Sequence, residues 1–442
     1  MQDVIRLAIR EAEVHGADDC EAYIAMTKES EVFIENNDLK QAKSQQAAAL
    51  GVRVLVDGAL GFYAVNSLER DKVRNAAAMA TKIAKVSPKD RFNSLPTKSK
   101  VPPVRGVYDK KAEGFDAGDA ARMATEMLGR AKSHDSRISV DSGGFTAVLM
   151  THWLGNSNGI SLRERISAFS WSIMGMAIDG QDVSSFDVQS GGSHSVKGID
   201  VLSCADEFAS TVINSLGACK IESFKGEMLL TPAAAIELVE EVIAHSVNSD
   251  SVQKKSSQFA GKLGRRVSSP ILTIEDDATN PAGLGAASFD REGVAHRRNV
   301  VIEKGILKKF LYNTYTAKKD GSRSTGNAGG SANSPPSVSA TNFIISPGRQ
   351  ALDDLVSEVK QGVILSRFSG NVNPVNGDFS GVVKGGRAIK DGELGRAVKE
   401  VMVAGNVFDC LKNLTGLSSE RKVIQSSILP YMRFSGVSFT GG

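Results

Sequence analysis

Apolar residues at Val4, Ile5, Leu7, Ala8 and Ala12 share one side of a 3.6-residue period, and Gly16 stands where a helix end favours positive φ. This spacing predicts an opening helix. Two β-rich runs, EAYIAMT (21–27) and SEVFIEN (30–36), predict strands, and LGVRVLVDGALGFYAV (50–65) predicts a hairpin turning at Asp57-Gly58. Helical spacing returns over 69–86, with Val73, Ala76, Ala77, Ala80, Ile83 and Ala84 on one side. The four prolines and several charges of residues 87–106 then predict a surface connector. A helix is expected over 117–132, then antiparallel strands from Ile138 to about Gln189, interrupted by SGG, GNSNG and DGQD as turns. Residues 200–217 are again helical by pattern.

The pattern changes after that helix. KGEMLLTP (225–232) reads as a buried strand leading into a helix that contains ELVEEVIAHSVNSD (237–250). Hairpin signals recur at Lys304-Gly305 and Asp391-Gly392. Residues 318–340 are too rich in Gly, Ser, Asn and Pro to supply a packed core and are expected to form a long loop. A boundary is therefore expected near 220, separating an N-terminal α/β domain (1–220, connector 87–106) from a C-terminal β-rich domain (221–442). The expected fold class is α+β, with an antiparallel or mixed N-terminal sheet carrying packed helices and a C-terminal set of hairpins with one central helix.

Composition narrows the function classes. The 442 residues carry 53 Lys plus Arg against 50 Asp plus Glu, so no large field is available to hold nucleic acid or an anionic membrane. Cys20, Cys204, Cys219 and Cys410 are scattered without a CxxC pair, which suits free thiols in a reducing compartment. The N-terminus lacks the basic start and long apolar run of a signal peptide, and no stretch approaches a bilayer-spanning length. A soluble, cytoplasmic protein is the expectation. GxSxG, Walker-type and placed GxGxxG motifs are missing, so serine-hydrolase and nucleotide-binding readings have no support.

The helix at 237–250 carries the most chemistry. Ala235, Ile236, Val239, Val242, Ile243 and Val247 form an apolar stripe, while Glu237, Glu241 and His245 stack four residues apart on the opposite face. Two carboxylates and an imidazole can hold a divalent metal, although one face of one helix seldom completes a site. A solvated polar stripe, with Glu241 supporting His245, fits the same pattern. The other histidines show no partner at ligand spacing: His15 suits a helix end, and His134 and His152 read as ordinary surface or strand residues.

Four C-terminal segments carry a resemblance. They are SFDREGVAHRRNVVIEKGILKKFLYNTYTAKKDGSRSTGNAGG, GDFSGVVKGG, VKEVMVAGNVFDCLKNLTGL and ILPYMRFSGVSFTGG, and in that order they closely resemble the C-terminal half of the TldD/PmbA proteins. LGVRVLVDGALGFYAVNSL resembles that family's N-terminal hairpin. The resemblance implies a metalloprotease lineage, in which the TldD subunit bears HExxxH on a helix and a cysteine ligand near its C-terminus. With QKKSSQF setting the register, Glu240 falls at the first histidine, Glu241 at the glutamate and His245 at the second histidine; Ser426 falls near the cysteine. A catalytic zinc needs about three protein ligands and an open position. The family pattern is therefore degenerate here, and no metal is expected in this chain.

That departure resembles the TldE (PmbA) branch, which the family pairs with TldD as a heterodimer enclosing a chamber where unfolded peptides are cut. The implied role is a non-catalytic subunit, with zinc in the TldD-like partner. Its substrates would be unfolded peptides, as in peptide maturation or antitoxin degradation, with neither nucleic acid nor membrane as partner. The 321–337 loop would stand at the chamber rim or the subunit interface, or be passive. Two alternatives stay open: a self-sufficient, homodimeric metallopeptidase using Glu240, Glu241 and His245, and a peptide-binding protein without peptidase activity. The family's older label, modulator of DNA gyrase, finds no support as direct DNA binding in a near-neutral charge.

Overall fold

The computed structural model describes residues 1–442. The first half is built on long antiparallel strands: β1 (Asp19–Glu35), β2 (Asp38–Val56), β3 (Ala59–Val65), β4 (Ile138–Asn156), β5 (Ser161–Asp179), β6 (Asp182–Val183) and β7 (Asp187–Ser193). They lie in the order β3-β2-β1-β4-β5-β6, with β7 also on β5. The two short strands expected at 21–27 and 30–36 are one strand. Nothing between them turns the chain; Asn36 and Asn37, with φ of 52° and 66°, do so instead. Two successive positive φ values match the twist a two-residue hairpin needs, and Asn tolerates them. The same geometry occurs at Asp57-Gly58, Lys304-Gly305 and Asp391-Gly392, as the sequence predicts.

SGG (142–144) is not a turn but the middle of β4. A Cβ on Gly143 would lie 2.5 Å from the Ser172 carbonyl oxygen, and one on Gly144 2.3 Å from that of Val32, so these glycines permit close strand approach.

Strand alternation assigns the two faces of this sheet. Cys20, Ala22 and Ile24 of β1 pack under α1 (Gln2–Val14) and α2 (Arg70–Val86). Val32 and Ile34, with Phe145, Phe169 and Trp171, pack under α3 (Ala117–His134) and α4 (Val201–Asn214). The intervening residues of β1 point the other way. There Tyr23 meets Leu154, Ile160, Phe289 and Ala332, the last two from the C-terminal half.

The second half is organised on a 13-stranded mixed sheet. Its strand β8 (Phe224–Leu230) lies between the C-terminal strand Ser427–Thr440, antiparallel to it, and Gln361–Leu365, parallel to it. A core of 39 buried residues joins Met228, Leu230 and Phe434 of these strands to Leu238, Val239, Val242, Ile243 and Val247 of the 237–250 segment. The α+β reading holds. Its C-terminal part understated the sheet, because parallel neighbours distant in sequence leave no hairpin signal.

The halves meet at a buried charge cluster. Glu21 and Arg53 are directly opposed in the β1–β2 register, and Arg53 Nη2 donates to Glu21 Oε2 at 2.8 Å. Arg53 Nη1 donates to Glu292 Oε1 and Arg291 Nη1 to Glu21 Oε1, each at 2.8 Å. All four residues are buried. Asp290 shapes the loop between them, accepting the amides of Glu292, Val294 and Ala328. Burial and the neighbouring Glu292 push its carboxyl up to about 7.

The 318–340 segment departs from the open loop expected. Asn327, Ala328 and Ala332 are buried. Asn327 Nδ2 donates to Asp276 Oδ2 at 2.7 Å, and residues 328–329 pair with 337–338. A polar segment can be buried when carboxylates satisfy its donors, and composition does not show which ones will.

Two measurements test this packing by chemical denaturation. Arg53→Ala leaves Glu21 and Glu292 without their shared partner and should cost about 3–5 kcal/mol, the range for a broken buried pair. Gly61→Ala places a Cβ 2.0 Å from the Ala80 carbonyl oxygen and should cost about 1–3 kcal/mol, whereas Gly129→Ala, in open space on α3, should stabilise by about 0.5–1 kcal/mol.

Candidate functional site

The 237–250 segment begins with a cap. Thr231 Oγ1 accepts the Ala234 amide at 3.2 Å and Pro232 occupies the first turn of α5 (Pro232–Ala235). The helix does not then run on evenly. Residues Ile236–Glu240 form a π turn before α6 (Glu241–Val247) resumes, and Asn248 caps α7 (Ser249–Gln253) by accepting the Asp250 amide. A π turn admits an extra residue and rotates the helix on its N-terminal side relative to the helix on its C-terminal side. The apolar stripe survives, with Leu238 added to the buried set. Glu241 and His245 remain one turn apart on α6, but Glu237, inside the π turn, is set off from them.

Each polar side chain goes its own way. Glu237 accepts Arg367 Nε at 2.8 Å and the Phe368 amide at 2.6 Å, so it anchors the strand beginning at Arg367. Glu240 points to the C-terminal strand, where Ser427 Oγ donates to its Oε2 at 2.6 Å. Burial raises the Glu240 carboxyl above the usual carboxylate range, which the Ser427 bond only partly offsets. Glu241 is exposed. His245 is half-buried; its Nε2 lies 3.1 Å from the Ser256 carbonyl oxygen and its Nδ1 3.4 Å from Ser251 Oγ.

As placed, these donors do not fit a catalytic zinc. Both ring nitrogens of His245 already have partners, Glu237 is paired with Arg367, and Glu240 faces a neutral hydroxyl. No three His, Cys, Asp or Glu side chains converge anywhere in the chain. Ser426 sits at the turn of the last hairpin and supplies its carbonyl to the Phe343 amide, so the hydroxyl reaching the helix belongs to the next residue.

The sequence reading brought Glu240, Glu241 and His245 onto one helix and missed their partners. Arg367 and Ser427 are each more than a hundred residues away and belong to no local pattern. It also took His152 for an ordinary strand residue. His152 does lie on β4, but it is buried, with Nε2 3.4 Å from Glu164 Oε2. A cavity of about 460 Å³ opens at the start of α5, between Pro232, Glu207 and Lys422; no motif residue lines it.

Two large sheets, helices on one face of the first and a capped helix packed against the second define an α+β protein. Known proteins agree with that class. The PmbA/TldA metallopeptidase domain 1 matches residues 20–84, the central domain 110–216 and the C-terminal domain 223–441. An uncharacterized protein of Methanocaldococcus jannaschii is 28% identical over 93% of this chain and 95% of its own length. The metalloprotease PmbA of Escherichia coli is 25% identical over 95% of this chain and 93% of its own. The crystal structure of TldE from Thermococcus kodakarensis superposes with a TM-score of 0.91 at 24% identity, covering 99% of this chain and 100% of that one. The chain belongs to the PmbA/TldD family.

The raised carboxyl gives a pH test. A group whose folded pKa lies above its unfolded value favours folding most at low pH and loses that contribution as pH rises through the folded value. Glu240→Gln keeps an acceptor for Ser427 but cannot ionise. Its stability relative to the parent should therefore rise from about pH 4 to about pH 8, read by denaturant midpoints. A pH-independent difference would mean that Glu240 titrates as it does in water.

Proposed function

We propose that this chain is a TldE/PmbA-like subunit that holds no zinc of its own and completes a peptide-cutting chamber with a TldD-like partner bearing an intact HExxxH. The observation that carries this reading is the divergence of the motif side chains, Glu240 to Ser427, Glu241 to solvent and His245 to the Ser256 carbonyl, while Glu237 on the same helix pairs with Arg367. Each contact secures the helix to its surroundings, which suits a motif retained for packing. In the partner, zinc would polarise the scissile carbonyl and activate water, while the motif glutamate moves the proton. This chain would contribute wall and strand edges, and an unfolded peptide can add to such an edge through its backbone with little demand on sequence.

The 1–220 and 221–442 units remain our division of the chain, and the cytoplasm our assignment of its compartment; no helix is long and apolar enough to cross a membrane. The 321–337 segment is buried at residues 325–328 and at Ala332, which packs between the halves, and this suits an internal brace better than a free rim. A self-sufficient peptidase is the second reading, favoured by the metalloprotease name of the Escherichia coli relative.

Metal analysis of the purified chain separates the two. The expected result is substoichiometric zinc that His245→Ala leaves unchanged. Stoichiometric zinc lost on that substitution would establish the second reading instead.

A further inference from the structure

A second polar centre lies away from the motif helix. Where the N-terminal sheet meets the 289–296 loop, a cavity of about 160 Å³ is lined by Tyr23, His152, Arg291 and His296, with Gly330 and Ala340 on its other side. Its volume is that of a few water molecules, enough for a small acid group.

The polar side chains lining it are incompletely satisfied. His152 is 5% exposed, and neither of its ring nitrogens makes a hydrogen bond. Arg291 is 5% exposed; its Nη1 donates to Glu21 and its Nε to the Ser331 carbonyl, but Nη2 has no partner. Buried groups of this kind are normally paired, because each orphan costs about 1–3 kcal/mol. The acids around it are otherwise engaged: Asp290, which lines the cavity, accepts three amides, and Glu21 and Glu292 face the two arginines. Glu164 accepts the amide and hydroxyl of Ser288.

We infer that this cavity is a binding site for a single carboxylate, held by Arg291 Nη2 and by His152. Arg291 Nη2 is a buried donor without an acceptor, so the ligand must supply acceptor oxygens. Glu164 Oε2 lies 3.4 Å from Nε2, which leaves Nδ1 as the ring nitrogen open to the ligand. A carboxylate fits better than a phosphate, because Asp290 lines the cavity and Glu164 lies beside His152, and a dianion would be repelled more strongly than a monoanion. The acid could be a small free carboxylate or the C-terminus of a peptide chain. Nothing in this inference depends on whether the chain carries zinc.

Calorimetric titration of the full-length protein tests it, using sodium acetate, a short N-acetylated peptide with a free C-terminus, the same peptide amidated, and inorganic phosphate. Acetate or the acid peptide should bind, and the amide and phosphate should bind about tenfold more weakly or not at all, the loss expected for a charge-assisted hydrogen bond. His152→Gln should weaken carboxylate binding by a similar factor. Ala340→Leu, which narrows the cavity while leaving Arg291 and His152 themselves unchanged, should do the same in a protein whose melting transition is kept. Tighter binding of the acid peptide than of acetate assigns the carboxylate to a chain terminus; the reverse assigns it to a small acid. Equal binding of the amide or of phosphate, no binding of either carboxylate, or indifference to both substitutions would overturn the site.

Discussion

Four buried charges, Glu21, Arg53, Arg291 and Glu292, hold the two halves of this protein in one arrangement. Taking such groups out of water is expensive, and their attraction offsets that cost only when every partner is in place. The cluster therefore selects a geometry more than it adds stability. Glu292 also accepts the Thr314 amide at 2.8 Å, at the start of the short helix Thr314–Lys319. Thr316 of that helix meets Ser249 just beyond the motif helix, Oγ to Oγ1 at 2.8 Å. A continuous chain of contacts thus runs from β1 of the first sheet to the helix against the second. The position of that helix relative to the first sheet is set by the cluster.

The π turn at Ile236–Glu240 explains why a motif can persist in sequence while its side chains disperse. The apolar stripe tolerates the added residue because the surrounding core closes around Leu238 as well as Val239. Glu237 and Glu240 have no such latitude, since each is fixed by its own distant partner. The helix keeps its apolar packing while Glu237 and Glu240 are committed to Arg367 and Ser427.

Much of the fold was legible because its signals are local. Turn pairs such as Asp57-Gly58 and Asp391-Gly392 need two positive φ values that few residues accept, and helices α1 to α4 bury stripes visible at 3.6-residue spacing. Contact between distant segments was not legible. Nothing near Asn327 announces that Asp276 will bury it, and nothing near Glu240 announces Ser427. The family register put Glu240, Glu241 and His245 on one helix and Ser426 near it, whereas the hydroxyl that bonds Glu240 belongs to Ser427. His152 looked ordinary because Glu164 and Arg291 reach it only through tertiary packing, across strands and from the other half.

The central claim is that peptide hydrolysis, where this chain takes part, is performed by its partner. Its most direct measurement is cleavage of an unfolded peptide by this chain mixed with an HExxxH-bearing relative, with the motif glutamate changed to glutamine in one chain at a time. The account predicts that the change in the partner abolishes cleavage and that Glu241→Gln here leaves the rate unaltered. Loss of cleavage on Glu241→Gln, or cleavage by this chain alone, would contradict it.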